Sequence, residues 1–130
     1  MKLSIVILAA PYHSQGSLTA LNFCQAALSA GHRIHRLFFY AEGVHNATVL
    51  SAPPQDETDL YLQWQNLIDT HAIDAVVCIA AALRRGLVDA GEAARYHKKA
   101  DNLAAGFELG GLGLLIEAAV ESDRVITFGA

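Results

Sequence analysis

MKLSIVILAAPYHSQGS, residues 1–17, is the stretch on which the fold turns. One lysine, a short apolar run and Ala9-Ala10 give it the outline of an export signal. The run is too short for that and too rich in β-branched side chains. Ile5, Val6 and Ile7 favour a pleated backbone, and the run has closed by Pro11. A strand with one wet face alternates apolar and polar residues, whereas an unbroken apolar strand marks a parallel sheet covered on both faces. Residues 2–8 therefore read as a buried first strand. PYHSQGS after it is a turn-rich loop, in which Ser14 and Ser17 are candidate helix N-caps.

The same alternation extends outward from this strand. Leu21, Cys24, Ala27 and Leu28 recur at helical spacing over residues 18–30, and Gly31 is placed to stop the helix. HRIHRLFF (32–39) is a second strand, followed by a loop over 40–47 that runs on to Pro53-Pro54. Asp56 and Glu57 stand where the positive end of a helix favours acids, ahead of an apolar stripe of Leu60, Trp64, Leu67 and Ile68. DAVVCI (74–79) is a third strand. A short helix over 80–83 ends near Gly86, another covers 89–96, and 97–102 is a polar loop. Gly110-Gly111-Leu112-Gly113 opens a helix whose residues Leu112, Leu115, Ile116 and Ala119 share one face. RVITF (124–128) is the last strand, and 106–109 are a candidate for one more. Strands alternating with helices call for a parallel sheet flanked by helices, so the expectation is a single α/β domain over residues 1–130, of Rossmann or flavodoxin type.

Composition narrows the function. Hydrophobic residues make up 53% of the 130 and charged residues 17%, which supplies a core and argues against disorder. Nine basic against 13 acidic residues give a formal charge of −4, the wrong sign for a surface that coats nucleic acid. No stretch approaches the roughly 20 apolar residues that span a bilayer. Two cysteines, Cys24 and Cys78, make no disulfide framework, so a cytoplasmic protein with reduced thiols is expected.

Open parallel sheets do their chemistry at the carboxyl ends of the strands. PYHSQGS, YAEGVHNA and CIAAALRRG all converge on that edge. Cys78 stands at the end of its strand, where a helix starting directly after it would favour thiolate over thiol. The alternative is packing, since free cysteine is among the most buried residue types and VVCIAAA suits a core. Cys24, inside the first helix's stripe, reads as core. Arg84 and Arg85 fit either a solvated helix end or an anion or partner contact, with Gly86 marking the helix end. The six histidines, His13, His32, His35, His45, His71 and His97, have no metal-ligand spacing. Neither G-x-G-x-x-G nor G-x-x-x-x-G-K-[ST] follows the first strand, so a nucleotide- or flavin-binding module has only the fold class in its favour. The Gly110–Gly113 turn fits close helix–sheet packing or, secondarily, an anion at a helix start.

FFYAEGVHNATVL (38–50), PPQDETDLYLQW (53–64), VVCIAAALRRGLVDAGEA (76–93) and GFELGGLGLLIEAAVESDRVITFG (106–129) resemble the TusD/DsrE family of sulfur-relay proteins. The resemblance runs through nearly the whole chain in order. It implies a flavodoxin-like fold in which the residue matching Cys78 is the catalytic sulfur carrier, holding sulfane sulfur as a persulfide with no metal or organic cofactor. It further implies a heterohexamer with two paralogous subunits, TusB- and TusC-like or DsrH- and DsrF-like. Sulfur would arrive from a TusA-like donor and leave to a TusE-like acceptor for 2-thiouridine synthesis at tRNA wobble positions, without direct nucleic-acid contact. The DsrE version would instead hand sulfur to DsrC in dissimilatory sulfur oxidation. A non-catalytic scaffold subunit is the alternative of another class. Residues 40–48 are a candidate rim or subunit interface, or a structural turn in which Asn46 satisfies backbone groups.

Overall fold

In the computed structural model, which describes residues 1–129, apolar runs become strands and amphipathic segments become the helices around them. In chain order the elements are β1 (Lys2–Ile7), α1 (Gly16–Ser29), β2 (Arg33–Phe39), a 3₁₀ helix (Ala41–Ala47), α2 (Leu60–His71), β3 (Asp74–Cys78), α3 (Ile79–Arg84), α4 (Ala90–Arg95), β4 (Phe107–Gly110), α5 (Gly113–Glu121) and β5 (Arg124–Phe128). The strands form one sheet in the order β4-β3-β2-β1-β5, with every neighbouring pair parallel. The residues that resembled an export signal form β1, an interior strand buried between β2 and β5. No helix is long and apolar enough to cross a membrane among the described residues.

The two faces of the sheet differ chemically. One is built from Ile5 and Ile7 of β1, which register with Leu37 and Phe39 of β2, then with Ala75 and Val77 of β3. Helices α1 and α2 cover this face. Phe39 packs edge-on against Trp64 of α2, with ring centroids 5.2 Å apart, and against Phe107 of β4 at 5.4 Å. Each such buried aliphatic or aromatic side chain contributes about 1.5–3 kcal/mol, so this layer is the core. The predicted α2 stripe Leu60, Trp64, Leu67 and Ile68 is buried throughout.

The opposite face carries a polar row in which Ser4 registers with Arg36, and Arg36 with Asp74. The chain steps in one direction from β1 to β4 and then returns to β5, so a right-handed final crossover brings α5 to this second face. A bulge in β2 opposite Leu3 and Ser4 turns the adjacent residues His35 and Arg36 toward the same helix. Arg36 is ion-paired to Glu117 of α5, donates to Asp74 Oδ2 at 2.7 Å and to the Leu114 carbonyl at 2.8 Å, and His35 Nε2 lies 3.2 Å from Glu117.

This chemistry also decides which side of α5 is buried. The stripe Leu112, Leu115, Ile116 and Ala119 is not the face α5 buries: Ala118 is buried, Leu115 is half-buried, and Leu112, Ile116 and Ala119 face outward. Two smaller differences arise from contacts between distant segments. Residues 41–47 are a 3₁₀ helix rather than an irregular loop. Ser17 caps nothing, because its hydroxyl is buried and bonded to Asn46.

Candidate functional site

The carboxyl edge of the sheet has one place where neighbouring connections part. The chain leaving β3 enters α3, while the chain leaving the adjacent β4 turns to α5 on the other face. Such divergence opens a crevice beyond the strand ends, where open α/β sheets place their ligands. Cys78 is the last residue of β3 and registers with Gly110, the last residue of β4. The thiol-bearing residue therefore stands at the switch point, opposite a residue with no side chain.

Gly110 is favoured there by packing. A Cβ at this position would lie 2.6 Å from Leu114 Cδ1 and 2.9 Å from Val76 Cγ1, so a larger residue would force these side chains to shift. Close helix–sheet approach thus accounts for Gly110, whereas a Cβ at Gly111 or Gly113 would meet nothing within 4 Å. Cys78 occupies the N-cap position of α3, with only 2% of its surface exposed. At about 3.6 residues per turn, the six residues of α3 make less than two turns, so the field of this helix is weak. Cys24 is equally hidden, at 0% exposure inside α1, and burial pushes its thiol up to about 12, far from ionisation at neutral pH.

The FFYAEGVHNA segment wraps the same edge. Trp64 Nε1 donates to Ser17 Oγ at 3.2 Å, Ser17 donates to Asn46 Oδ1 at 2.5 Å, and Asn46 Nδ2 donates to the Ala9 and Gly43 carbonyls at 3.0 and 2.8 Å. This buried chain fixes the 3₁₀ helix onto the end of β1, where a Cβ at Gly43 would collide with the Ile7 carbonyl. From that platform Glu42 pairs with Arg85 at 2.9 Å and with His45 at 3.3 Å. The hydrogen bond from Arg85 holds the Glu42 carboxyl below its usual range, burial opposing and the remaining attraction of Arg85 and His45 assisting. Arg85 also donates to the Ala81 carbonyl at 3.2 Å, so it ties the 3₁₀ helix to α3.

The arginine pair thus divides: Arg85 is a structural tie, and Arg84 is left exposed on α3. Sequence spacing had no means of finding the Glu42–Arg85 tie or the Cys78–Gly110 register, since both join segments far apart in the chain. Among the described residues, no three His, Cys, Asp or Glu side chains cluster as a metal site.

Comparison with known proteins identifies the family and the fold. Residues 1–128 match the sequence profile of the DsrE/DsrF-like family. The chain is 50% identical to the "Sulfurtransferase TusD homolog" of Pseudomonas aeruginosa, over 99% of this chain and 98% of that one. It is 47% identical to a DsrE of Allochromatium vinosum over 99% of both, and 44% identical to "Sulfurtransferase TusD" of Salmonella newport over 98% of this chain and all of the other. The crystal structure of the ychN protein from E. coli has the same fold, with a TM-score of 0.77 at 19% identity, covering 98% of this chain and 99% of that one. The profile match and the near-full-length similarity lead to one assignment: the chain belongs to the DsrE/DsrF-like family.

Proposed function

We propose that this chain is a sulfurtransferase subunit of a sulfur relay, with Cys78 as its persulfide carrier. The observation that carries the reading is the register of Cys78 with Gly110 at the switch point of the sheet. The names of relatives at 44–50% identity support it. In the first half-reaction the Cys78 thiolate attacks the outer sulfur of a donor persulfide, R–S–SH. The new bond is Cys78 Sγ–S, the donor S–S bond breaks, and R–S⁻ leaves. In the second, an acceptor thiolate attacks the outer sulfur of Cys78–S–SH and Cys78 leaves as thiolate. One sulfur atom moves with its proton, no net electrons are exchanged, and the chemistry is that of thiol–disulfide exchange. No metal or organic cofactor takes part. The recessed thiol fits a persulfide that must be shielded from reduction and oxidation until a carrier protein docks.

The relay we infer is the TusD-type route to 2-thiouridine in tRNA, in the cytoplasm, with a TusA-like donor and a TusE-like acceptor. DsrE-type delivery to DsrC uses the same step at the same residue, and genes for dissimilatory sulfite reductase beside this one would select it. Assembly with two paralogous subunits into a heterohexamer belongs to the same reading. The outward face of α5 supports association, because Ile116 and Val120 are 66% and 75% exposed and Leu112 at its start is exposed as well.

Mass spectrometry after exposure to a persulfide-loaded donor protein tests the proposal. A gain of one sulfur on Cys78, absent in Cys78→Ser, is the expected result. Sulfur on Cys24 with Cys78 unmodified, or full delivery to the acceptor by the Cys78→Ser chain in its complex, would overturn it, the latter in favour of a scaffold role.

A further inference from the structure

Positive charge is distributed unevenly in this acidic chain. Five of its nine lysines and arginines, Arg84, Arg85, Arg95, Lys98 and Lys99, fall within residues 84–99, against a formal net charge of −4. Arg85 is committed to Glu42. Arg84, Arg95 and Lys98 line a groove of about 660 Å³ alongside α3. Among the described residues, Arg95 reaches one carboxylate, Glu92, at a loose 3.8 Å, and Arg84 and Lys98 pair with none.

The floor of the groove is apolar, made by Ile79, Leu83 and Val88, all half-buried. Ile79 directly follows Cys78 in the chain, so the groove begins one residue beyond the proposed sulfur carrier, which is itself buried. An apolar floor under a rim of cations that are unpaired or only loosely paired complements a chain that presents apolar side chains on one side and carboxylates on the other. A polynucleotide fits less well. The net charge repels it, the floor offers its phosphates nothing, and the Tyr96 ring that could stack a base already has the Arg95 guanidinium 5.4 Å from its centroid.

The geometry points to a docking groove for an extended segment of a partner protein, rich in alternating acidic and apolar residues, lying along α3, the helix that starts directly after Cys78. The inference deepens the sulfur-carrier reading and rests on it for the purpose of the groove.

Fluorescence anisotropy tests it with two labelled heptapeptides, one alternating leucine with glutamate and ending in cysteine, the other carrying lysine in place of glutamate. The acidic peptide is expected to bind the wild-type chain and the basic one is not. Reversing two rim charges, Arg84→Glu with Lys98→Glu, should weaken the acidic peptide by about tenfold and confer binding of the basic one, a gain that unfolding cannot mimic. Lys2→Glu with Arg33→Glu makes the same change in net charge outside the groove. Equal weakening in that control, no preference between the peptides, or tighter binding of an oligouridine RNA would overturn the groove. Sulfur loading of wild-type Cys78 is read separately by mass. Charge-selective binding without loading leaves the groove and removes the carrier reading, and loading without charge selectivity does the reverse.

Discussion

Helices α2 and α5 carry apolar stripes of similar clarity and use them in opposite ways. In α2 the stripe Leu60, Trp64, Leu67 and Ile68 is buried against Leu37, Phe39 and the rest of the apolar face. In α5 Leu112, Ile116 and Ala119 of the stripe point outward, and the helix meets the sheet through Leu115, Ala118 and Glu117. The difference lies in the strands beneath. The face under α2 is aliphatic and aromatic, whereas the face under α5 offers Ser4, Arg36 and Asp74, and Arg36 needs a carboxylate there because a buried unpaired guanidinium is costly. Periodicity shows that a helix has an apolar side; the chemistry of its neighbour decides whether that side faces in.

The sharpest way to break the contrast is Trp64→Ala. Removing the largest fully buried side chain opens a cavity under α2 and should cost about 3–5 kcal/mol in urea unfolding. An effect below about 1 kcal/mol would mean that α2 is not the anchored helix.

Gly110→Ala probes the α5 side. The added methyl meets Leu114 and Val76 at sub-contact distance and should destabilise by about 1–3 kcal/mol, with α5 amides exchanging faster than those of α2.

A pH series separates the two helices further. Burial works against charge on Glu117, but the bonds from Arg36 and His35 outweigh it and hold the carboxyl below its ordinary range. A depressed carboxyl gives its stabilisation fully above the unfolded value of about 4.3, and that is lost as pH falls through the lower, folded value. Amide protection in α5 should therefore fall on acidification before protection in α2 does, and Glu117→Gln should flatten that acid limb. An unchanged limb in Glu117→Gln would show that the ion pair does not anchor the helix.

The smallest expected effect is the most diagnostic of function. Ile116→Ser should leave the unfolding free energy of the isolated chain within about 0.5 kcal/mol, because the side chain already faces water. The same change should weaken assembly with partner subunits, measured by size-exclusion chromatography of the co-expressed proteins. A large loss of intrinsic stability would place the stripe inside the core after all.

Much of the fold was legible because local chemistry wrote it. RVITF forms β5 with the predicted bounds, VVC ends β3, the weakly signalled strand near 106–109 is present as β4, and Gly31 follows α1 at a positive φ of 90°. The 3₁₀ helix was hidden because it depends on Asn46 reaching Ala9, Gly43 and Ser17, bonds that span up to 37 residues. The candidate site was legible in one residue, Cys78, from its place between an apolar run and a helix start. Arg84 and Arg85 are adjacent and chemically alike; only Glu42, carried in from another loop, tells them apart.

The sequence by itself determined the alternation of strands and helices, the two-sided burial of β1, the stripe of α2 and the position of a thiol at a strand end. These follow from side-chain periodicity and backbone preference, which act within a few residues. Tertiary structure alone decided that Cys78 faces Gly110, that Glu42 ties Arg85, and that α5 turns its apolar side outward over Arg36. Those outcomes depend on which distant segments the sheet order brings together, and on the cost of leaving a buried charge without a partner.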